Sequence, residues 1–400
     1  MGIKKTPFFS IVIPTKNRPE YLRDSIESVL LQDFDDYEIV VSDNFNDEPT
    51  QRLIAEFGDY ERFFSFRTDK ELNMIDHWEF ATTKARGRHV ILLADRKVLF
   101  NHSLKKLKRI ITKAPDINVF SFGIKVYDDQ QNKMGWDAPI GKTKRYSSKE
   151  LISNFLSKNI YTAESMDLVF PKTLNGCFKN AYAKNLREQY GNYFNNKGVT
   201  TPDYSSMFVN LALNQEILYV GEKIILTQGE HISNGRHFGA GKYKAYMESL
   251  GLKNVYKDVV IKAPMIYNLL IVDFKTVAQL FGGNLVGVEL DWKNYFTTTY
   301  WDLLVKKKRG LEESELSFFR REWEKGLNEV SSQADIVNTS LIEQSFESNG
   351  KAVKKWDKLI NFRRHFKEFF GYRFPNSLME QKMLKFKSCL EAAGFDVKGK

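Results

Sequence analysis

The 400 residues carry 60 Lys and Arg against 50 Asp and Glu, a formal net charge of +10, with 42% apolar and 28% charged residues. That is the balance of an ordinary soluble protein with about two domains' worth of chain and a sizeable core. Two cysteines far apart, Cys177 and Cys389, exclude a disulfide framework or a zinc spacing and suit two buried thiols in a reducing compartment.

Met1 to Thr6 fits an N-myristoylation pattern only formally. A strand begins almost at once, so no secretory signal is expected. Phe8 to Pro14 is the first predicted strand, and Pro19 opens a helix whose Leu22, Ile26, Val29 and Leu30 share one face. Tyr37 to Ser42 is the second strand, followed by a helix over Thr50 to Phe57. A third strand over Phe63 to Arg67 leads to a helix from about Met74 to Ala85. Val90 to Ala94 is continuous and apolar, as a strand buried on both faces should be, and Ile117 to Val126 continues the sheet. This alternation predicts a mostly parallel sheet covered by helices. Ser147 to Leu213 reads as helices and loops, with Ser147 or Ser148 capping the run from Glu150. Ile217 to Val220 and Lys223 to Thr227 read as a last pair of short strands. The Gly-, Ser-, Asn- and His-rich stretch from Gly229 to Gly241 marks a domain boundary near residue 240. Beyond it the chain reads as mainly helical, most clearly over Glu312 to Val330 and Lys351 to Tyr372. No stretch reaches the roughly 18 apolar residues of a membrane span.

In open α/β sheets, ligands bind outside the carboxyl ends of the strands. The first strand ends in Pro14-Thr15-Lys16-Asn17-Arg18 and the second in Asp43-Asn44-Phe45-Asn46-Asp47. Pro14, Thr15, Asn17 and Asp43 therefore deliver a hydroxyl, an amide and a carboxylate to one place, a cradle suited to a ribose and a base. Neither a Gly-x-Gly-x-x-Gly after the first strand nor a Walker sequence is present, which argues against dinucleotide dehydrogenases and P-loop enzymes.

The run Ser10-Ile-Val-Ile-Pro-Thr-Lys-Asn-Arg-Pro-Glu-Tyr-Leu22, with Ser25 to Leu30 and Glu38-Ile-Val-Val-Ser-Asp-Asn44, resembles the opening of family 2 glycosyltransferases. The likeness continues through His77-Trp78-Glu79, Ala85-Arg86-Gly87 and Val90 to Leu93, and again around Thr201 to Gly235. It implies an inverting enzyme whose first 240 residues form a GT-A, Rossmann-like α/β catalytic domain, while the basic, mainly helical region over 241–400 resembles no family of its own. By the same resemblance, Thr15 and Asp43 contact the nucleoside, Asp43 on uracil if the donor is a UDP-sugar. Arg67 stands where such enzymes place a base- or phosphate-contacting residue.

The family's strand over Val90 to Leu93 normally runs into an Asp-x-Asp motif that holds a divalent cation. Here it runs into Ala94-Asp95-Arg96-Lys97, so the motif is degenerate and Asp95 alone survives, in the middle position. Magnesium and manganese need oxygen ligands, so a metal is disfavoured and Asp95 is only a weak ligand candidate. Two readings stay open. Arg96 and Lys97 replace the metal by neutralising the diphosphate leaving group, or the protein binds a sugar nucleotide or glycan without catalysing. An inverting transfer also needs a base, which relatives place at the start of a late helix. Thr201-Pro202-Asp203-Tyr204 fits that position and nominates Asp203, although Pro202 stands where many relatives carry Glu. Relatives also carry a diphosphate- or metal-contacting His in the late loop, which points to His231, with Arg236 as a further phosphate candidate.

From Gly241 onward there are 27 Lys and Arg against 20 Asp and Glu. Lys351 to Arg373 interleaves eight cationic side chains with aromatics, against Asp357 and Glu368 alone. Such a helix can pack on the catalytic domain, lie on an anionic membrane or follow a nucleic-acid backbone. The leading expectation is a cytoplasmic enzyme, peripheral at the inner membrane face, that adds a sugar to a surface glycan or lipid-linked acceptor. The alternatives are a transferase acting on modified bases of viral DNA and a non-catalytic binding protein.

Overall fold

The computed structural model describes residues 6–134, 141–161, 169–194, 198–232, 243–252, 255–330, 337–348 and 388–396. In chain order the sheet begins with β1 (Phe9–Thr15), a mostly apolar and β-branched run buried along its whole length. It pairs in parallel with β2 (Tyr37–Asp43) and β4 (His89–Leu92), and β3 (Phe63–Arg67) adds in parallel to β2. The remaining strands are β5 (Lys97–Leu99), β6 (Val119–Asp128), β7 (Lys133–Met134), β8 (Lys144–Ser147), β9 (Gly176–Lys179) and β10 (Glu216–Thr227). The main order is β3-β2-β1-β4-β9-β6-β10-β5, with β7 on β6 and β8 on β10.

Alternate residues of a strand face opposite sides of its sheet. Ile11, Ile13, Ile39 and Val41 face α1 (Pro19–Leu30), α2 (Glu48–Glu56) and α4 (Ser103–Thr112), which contribute Ile26, Leu53 and Leu107. Val12 and Val40 face the other side, where α3 (Met74–Thr83) supplies Ile75, Trp78 and Ala81. The helix starts are set locally. Pro19 opens α1, the Asp47 side chain accepts the Thr50 N–H at 3.1 Å, and Asn73 accepts the Asp76 N–H at 2.9 Å. Each cap satisfies a donor the helix leaves unpaired.

Several residues of the family-like runs hold the sheet together. Glu38, 1% exposed, accepts the Ser10 hydroxyl at 2.6 Å and the Arg86 N–H at 2.7 Å. Gly87 donates to Ser10 Oγ at 2.7 Å, and a Cβ there would lie 2.7 Å from the β1 backbone. Glu79 accepts from Arg187 Nε at 2.5 Å and from the Tyr193 and Phe194 N–H groups at 2.9 and 2.6 Å.

His77, buried beside Ser42 with Nε2 2.9 Å from Oγ, is held down to about 4 by burial, as is His89. Both folded values lie below the ordinary 6.5, so the neutral rings stabilise the fold fully above that value. That contribution is lost as pH falls through 6.5 towards 4, by roughly a few kcal/mol in all. Denaturant melts across that range should show the loss, and His77→Gln should flatten part of it.

The second half is built from α5 (Ser148–Ser157), α6 (Asn180–Tyr190), α7 (Pro202–Leu213), α8 (Ile266–Phe281), α9 (Trp292–Lys308) and α10 (Glu313–Glu329). The Phe274 ring of α8 meets Phe208 of α7 edge-on at 5.5 Å. One apolar cluster runs from Val12 and Val90 through Phe208 and Tyr267 to Phe319. Residues 388–396 return to the sheet, where Leu390 and Phe395 pack on Val98 and Leu226. Both cysteines are buried and unpaired with one another.

Several strands differ from the sequence reading, β7 and β8 among them, which were not expected. β9 inserts antiparallel between β4 and β6 where only helices and loops were expected, and β5 was not expected. The two short strands over 217–227 are one strand, β10, whose register on β6 shifts between Val220 and Ile225. Ser147 sits before α5 but its side chain does not cap it. The expected helix over Lys351 to Tyr372, all but Thr6 of the myristoylation pattern over Met1 to Thr6, and Arg236 lie outside the described residues.

Candidate active site

The carboxyl ends of β1, β2 and β3 form one cradle. Asp43, 5% exposed at the end of β2, accepts the Asn46 N–H on Oδ1 at 2.6 Å and Arg67 Nη1 on Oδ2 at 3.0 Å. An ionised carboxylate has about four acceptor positions, so each oxygen keeps capacity for a ligand donor. Arg67 also donates to the Asn46 carbonyl at 3.3 Å and lies over the Phe45 ring, 4.9 Å from its centroid. Phe45 is 52% exposed with φ of 54°, an unusual conformation for a bulky residue, and it presents an aromatic face beside Asp43.

Pro14 and Thr15, buried at the end of β1, pair with Ser42 and Asp43. Asn17 ties the two loops, donating its N–H to Asn46 Oδ1 at 2.5 Å and accepting the Asp47 N–H at 2.8 Å.

Asp95, 3% exposed, links β1 to the chain after β4. It accepts the Thr15 hydroxyl at 3.1 Å and Arg18 Nη1 at 3.4 Å. Burial raises its carboxyl above the ordinary value, while the charges of Arg18 and Arg96 pull it back. A lone carboxylate, buried and braced in this way, does not fit a divalent ion. Among the described residues, no group of three His, Cys, Asp or Glu side chains comes together to hold a metal.

Arg96 and Lys97 point to two different neighbours. Arg96 Nη1 donates to the carbonyls of Gln228 and Gly229, both at 2.9 Å. Lys97, 3% exposed, donates Nζ to the Leu174 carbonyl at 2.7 Å. The N–H of that same Leu174 donates to Asp203 Oδ1 at 2.9 Å, so one peptide turn over Thr173–Asn175 joins Lys97 to the first turn of α7.

A third group was not read from the sequence. Asp129, just past β6, accepts the Tyr21 hydroxyl at 2.9 Å and the Gly229 N–H at 3.3 Å, and it lies 3.6 Å from His231 Nδ1. Burial and Asp129 push Tyr21 up to about 12. Gly229 has φ of 63°, and a Cβ there would come within 3.1 Å of the Tyr21 ring and 3.2 Å of Arg96 Cδ, so any other residue would be strained there. Arg96, Tyr21, Asp129, Gly229 and His231 therefore form one cluster at the end of β10. Asp129 carried only a weak signal, an acid after a long strand. Phe45 carried a clearer one, a lone large aromatic between polar loop residues.

Residues 10–177 match the family model described as Glycosyl transferase family 2. This segment is similar to that family over less than half of the chain. The match supports a glycosyltransferase in the mixed α/β half of the chain, which a helical region follows. Among solved structures it resembles the 1–349 fragment of S. aureus TarS, at 15% identity and a TM-score of 0.45, over 79% of this chain and 90% of that one. The same fragment in complex with UDP-GlcNAc matches at 16% identity and 0.45 over the same shares. A comparison with curated protein sequences returns no match. No helix among the described residues is long and apolar enough to cross a membrane.

Proposed function

We propose that this glycosyltransferase uses a UDP-sugar, works without a metal ion and inverts the anomeric centre as it glycosylates a hydroxyl of a surface-glycan or lipid-linked acceptor. The observation that carries the reading is the cradle of Asp43, Arg67 and Phe45 at the ends of adjacent parallel strands. A carboxylate with acceptor capacity suits the imide N–H of uracil, and an exposed ring suits its face. The Thr15 hydroxyl and the loop amides tied by Asn17 suit the ribose.

In the reaction, Asp203 takes the acceptor proton as the acceptor oxygen bonds to the anomeric carbon. The bond from that carbon to the diphosphate oxygen breaks, and UDP leaves with the electron pair. Arg96, braced by two carbonyls, places its guanidinium at the leaving phosphates, where fixed cations stabilise developing charge. Lys97 acts one step back, holding the turn that orients Asp203 while adding positive potential. His231 and Arg236 are proposed as further diphosphate contacts. The acceptor assignment and the place at the inner membrane face rest on the basic composition beyond residue 240.

Calorimetric titration with UDP, GDP, CDP and TDP tests the cradle. UDP should bind best. Phe45→Ala should weaken it by roughly 5- to 100-fold, the worth of one base–aromatic stack, and Asp43→Ala should erase the preference for UDP. Equal affinity for all four in the wild type would sink the uridine assignment.

A further inference from the structure

Among the described residues, helix α8 reaches the entry of α7, next to Asp203. Asp273, in the middle of α8, is fully buried. It accepts the Thr200 N–H at 2.5 Å and the Thr200 hydroxyl at 3.0 Å on Oδ1. On Oδ2 it accepts the Thr201 N–H at 2.9 Å and the Thr201 hydroxyl. Four donors from two consecutive residues fill the acceptor capacity of one carboxylate. The next residues are Pro202 and Asp203.

Burying a carboxylate is costly, and an apolar side chain serves simple packing better. The cost is visible here, since burial pushes the carboxyl up to about 7 against the pull of the threonine hydrogen bonds. What the carboxylate provides, and an apolar residue cannot, is a fixed backbone at two successive peptides. Thr201 occupies the N-cap position of α7, yet its side chain makes no cap bond and its hydroxyl goes to Asp273 instead. Tyr246 adds a hydrogen bond to the Thr200 carbonyl at 2.6 Å.

The far end of α7 is held from the same side. Asn284 donates to the carbonyls of Leu211 and Asn214 at 2.9 and 2.8 Å. Gly283, with φ of 58°, lies so close to the Ala212 carbonyl that a Cβ would collide with it. On the sheet side, Leu174 holds Asp203 and Thr173 Oγ1 donates to Ser206 Oγ at 2.6 Å. The entry to α7 is thus gripped from two directions, with Asp203 between them.

We propose that Asp273 is a positioning residue for glycosyl transfer, which fixes Thr200 and Thr201 and thereby aims Asp203 at the acceptor hydroxyl. The helical region is then part of the active-site scaffold. This rests on the reading of Asp203 as the base.

Asp273→Asn puts an amide N–H where an acceptor stood, against a threonine donor. UDP release is measured with the fastest donor of a UDP-sugar panel, normalised to UDP-binding sites by titration. The rate should fall about 10- to 100-fold, the scale of a small misplacement, while UDP affinity stays within about twofold. Thr201→Val, which removes one hydroxyl, should lower the rate about 3- to 10-fold at unchanged affinity. A general loss of structure would instead reduce the number of UDP sites and leave the rate per site unchanged. If Asp203→Asn is inactive while Asp273→Asn and Thr201→Val turn over normally, the positioning role is wrong and the base assignment stands. If Asp203→Asn is fully active, the base assignment fails and takes the positioning role with it. Should Asp273→Asn not fold, Thr201→Val and Tyr246→Phe decide, and normal rates in both overturn the proposal.

Discussion

Replacing Asp203 with asparagine is expected to lower the rate of sugar transfer by about 10²–10⁴-fold, the contribution of a positioned general base. UDP affinity should stay within about twofold, because Asp203 lies in the first turn of α7 and the nucleoside cradle lies at the ends of β1 to β3. Folding should be little affected. Asp203 gives Leu174 N–H one acceptor at 2.9 Å, and an asparagine carbonyl can accept the same bond. Steady-state kinetics with titrated sites separates the two effects. A fall in affinity with an unchanged rate would mean that Asp203 binds the donor.

Arg96→Ala is expected to cost about 10²–10³-fold in rate, the loss seen when one preorganised charge-stabilising donor is removed. Part of that loss has a structural origin. Arg96 donates to the carbonyls of Gln228 and Gly229, so alanine also loosens the turn that carries His231 and meets Asp129. Arg96→Lys separates the contributions. It keeps the charge but cannot bridge two carbonyls in a planar fork, and it should recover only part of the rate. Full recovery by lysine would show that charge alone matters. An unchanged rate in Arg96→Ala would remove Arg96 from the leaving-group site.

The chain up to the end of β4 was legible because local and long-range signals agree there. Phe9 to Thr15 is mostly apolar, with Ser10 and Thr15 the exceptions, and is buried on both faces. Pro19, Asp47 and Asn73 start their helices by local chemistry. β9 was not legible because Gly176-Cys-Phe-Lys is too short for a period, and only β4 and β6 on either side make it a strand. β10 was split into two short strands because Gly221 and Glu222 interrupt its apolar run. In the fold its missing Cβ lets the backbone pass the Gly141 carbonyl and the Thr143 nitrogen, so the strand continues through a bulge.

The site was legible where residues act through strand ends and opaque where they act through other elements. Asp43 and Arg67 were named from the ends of β2 and β3, and they touch at 3.0 Å. Arg96 and Lys97 read as one cationic pair because they are adjacent. The strand geometry instead sends one to the β10 turn and the other to Leu174. The Asp273 carboxylate could not be foreseen, since it lies 70 residues beyond Asp203 in a run that reads as an apolar helix. Only the packing of α8 on α7 brings it to Thr200 and Thr201.

The most direct test of metal-free glycosyl transfer is UDP release across a panel of UDP-sugars, with excess EDTA and with added manganese. The account predicts that the wild-type rate on the best donor is the same in both conditions, and that Arg96→Ala lowers it equally in each. Activity abolished by EDTA and restored by manganese would contradict it, and would assign the leaving-group charge to a metal.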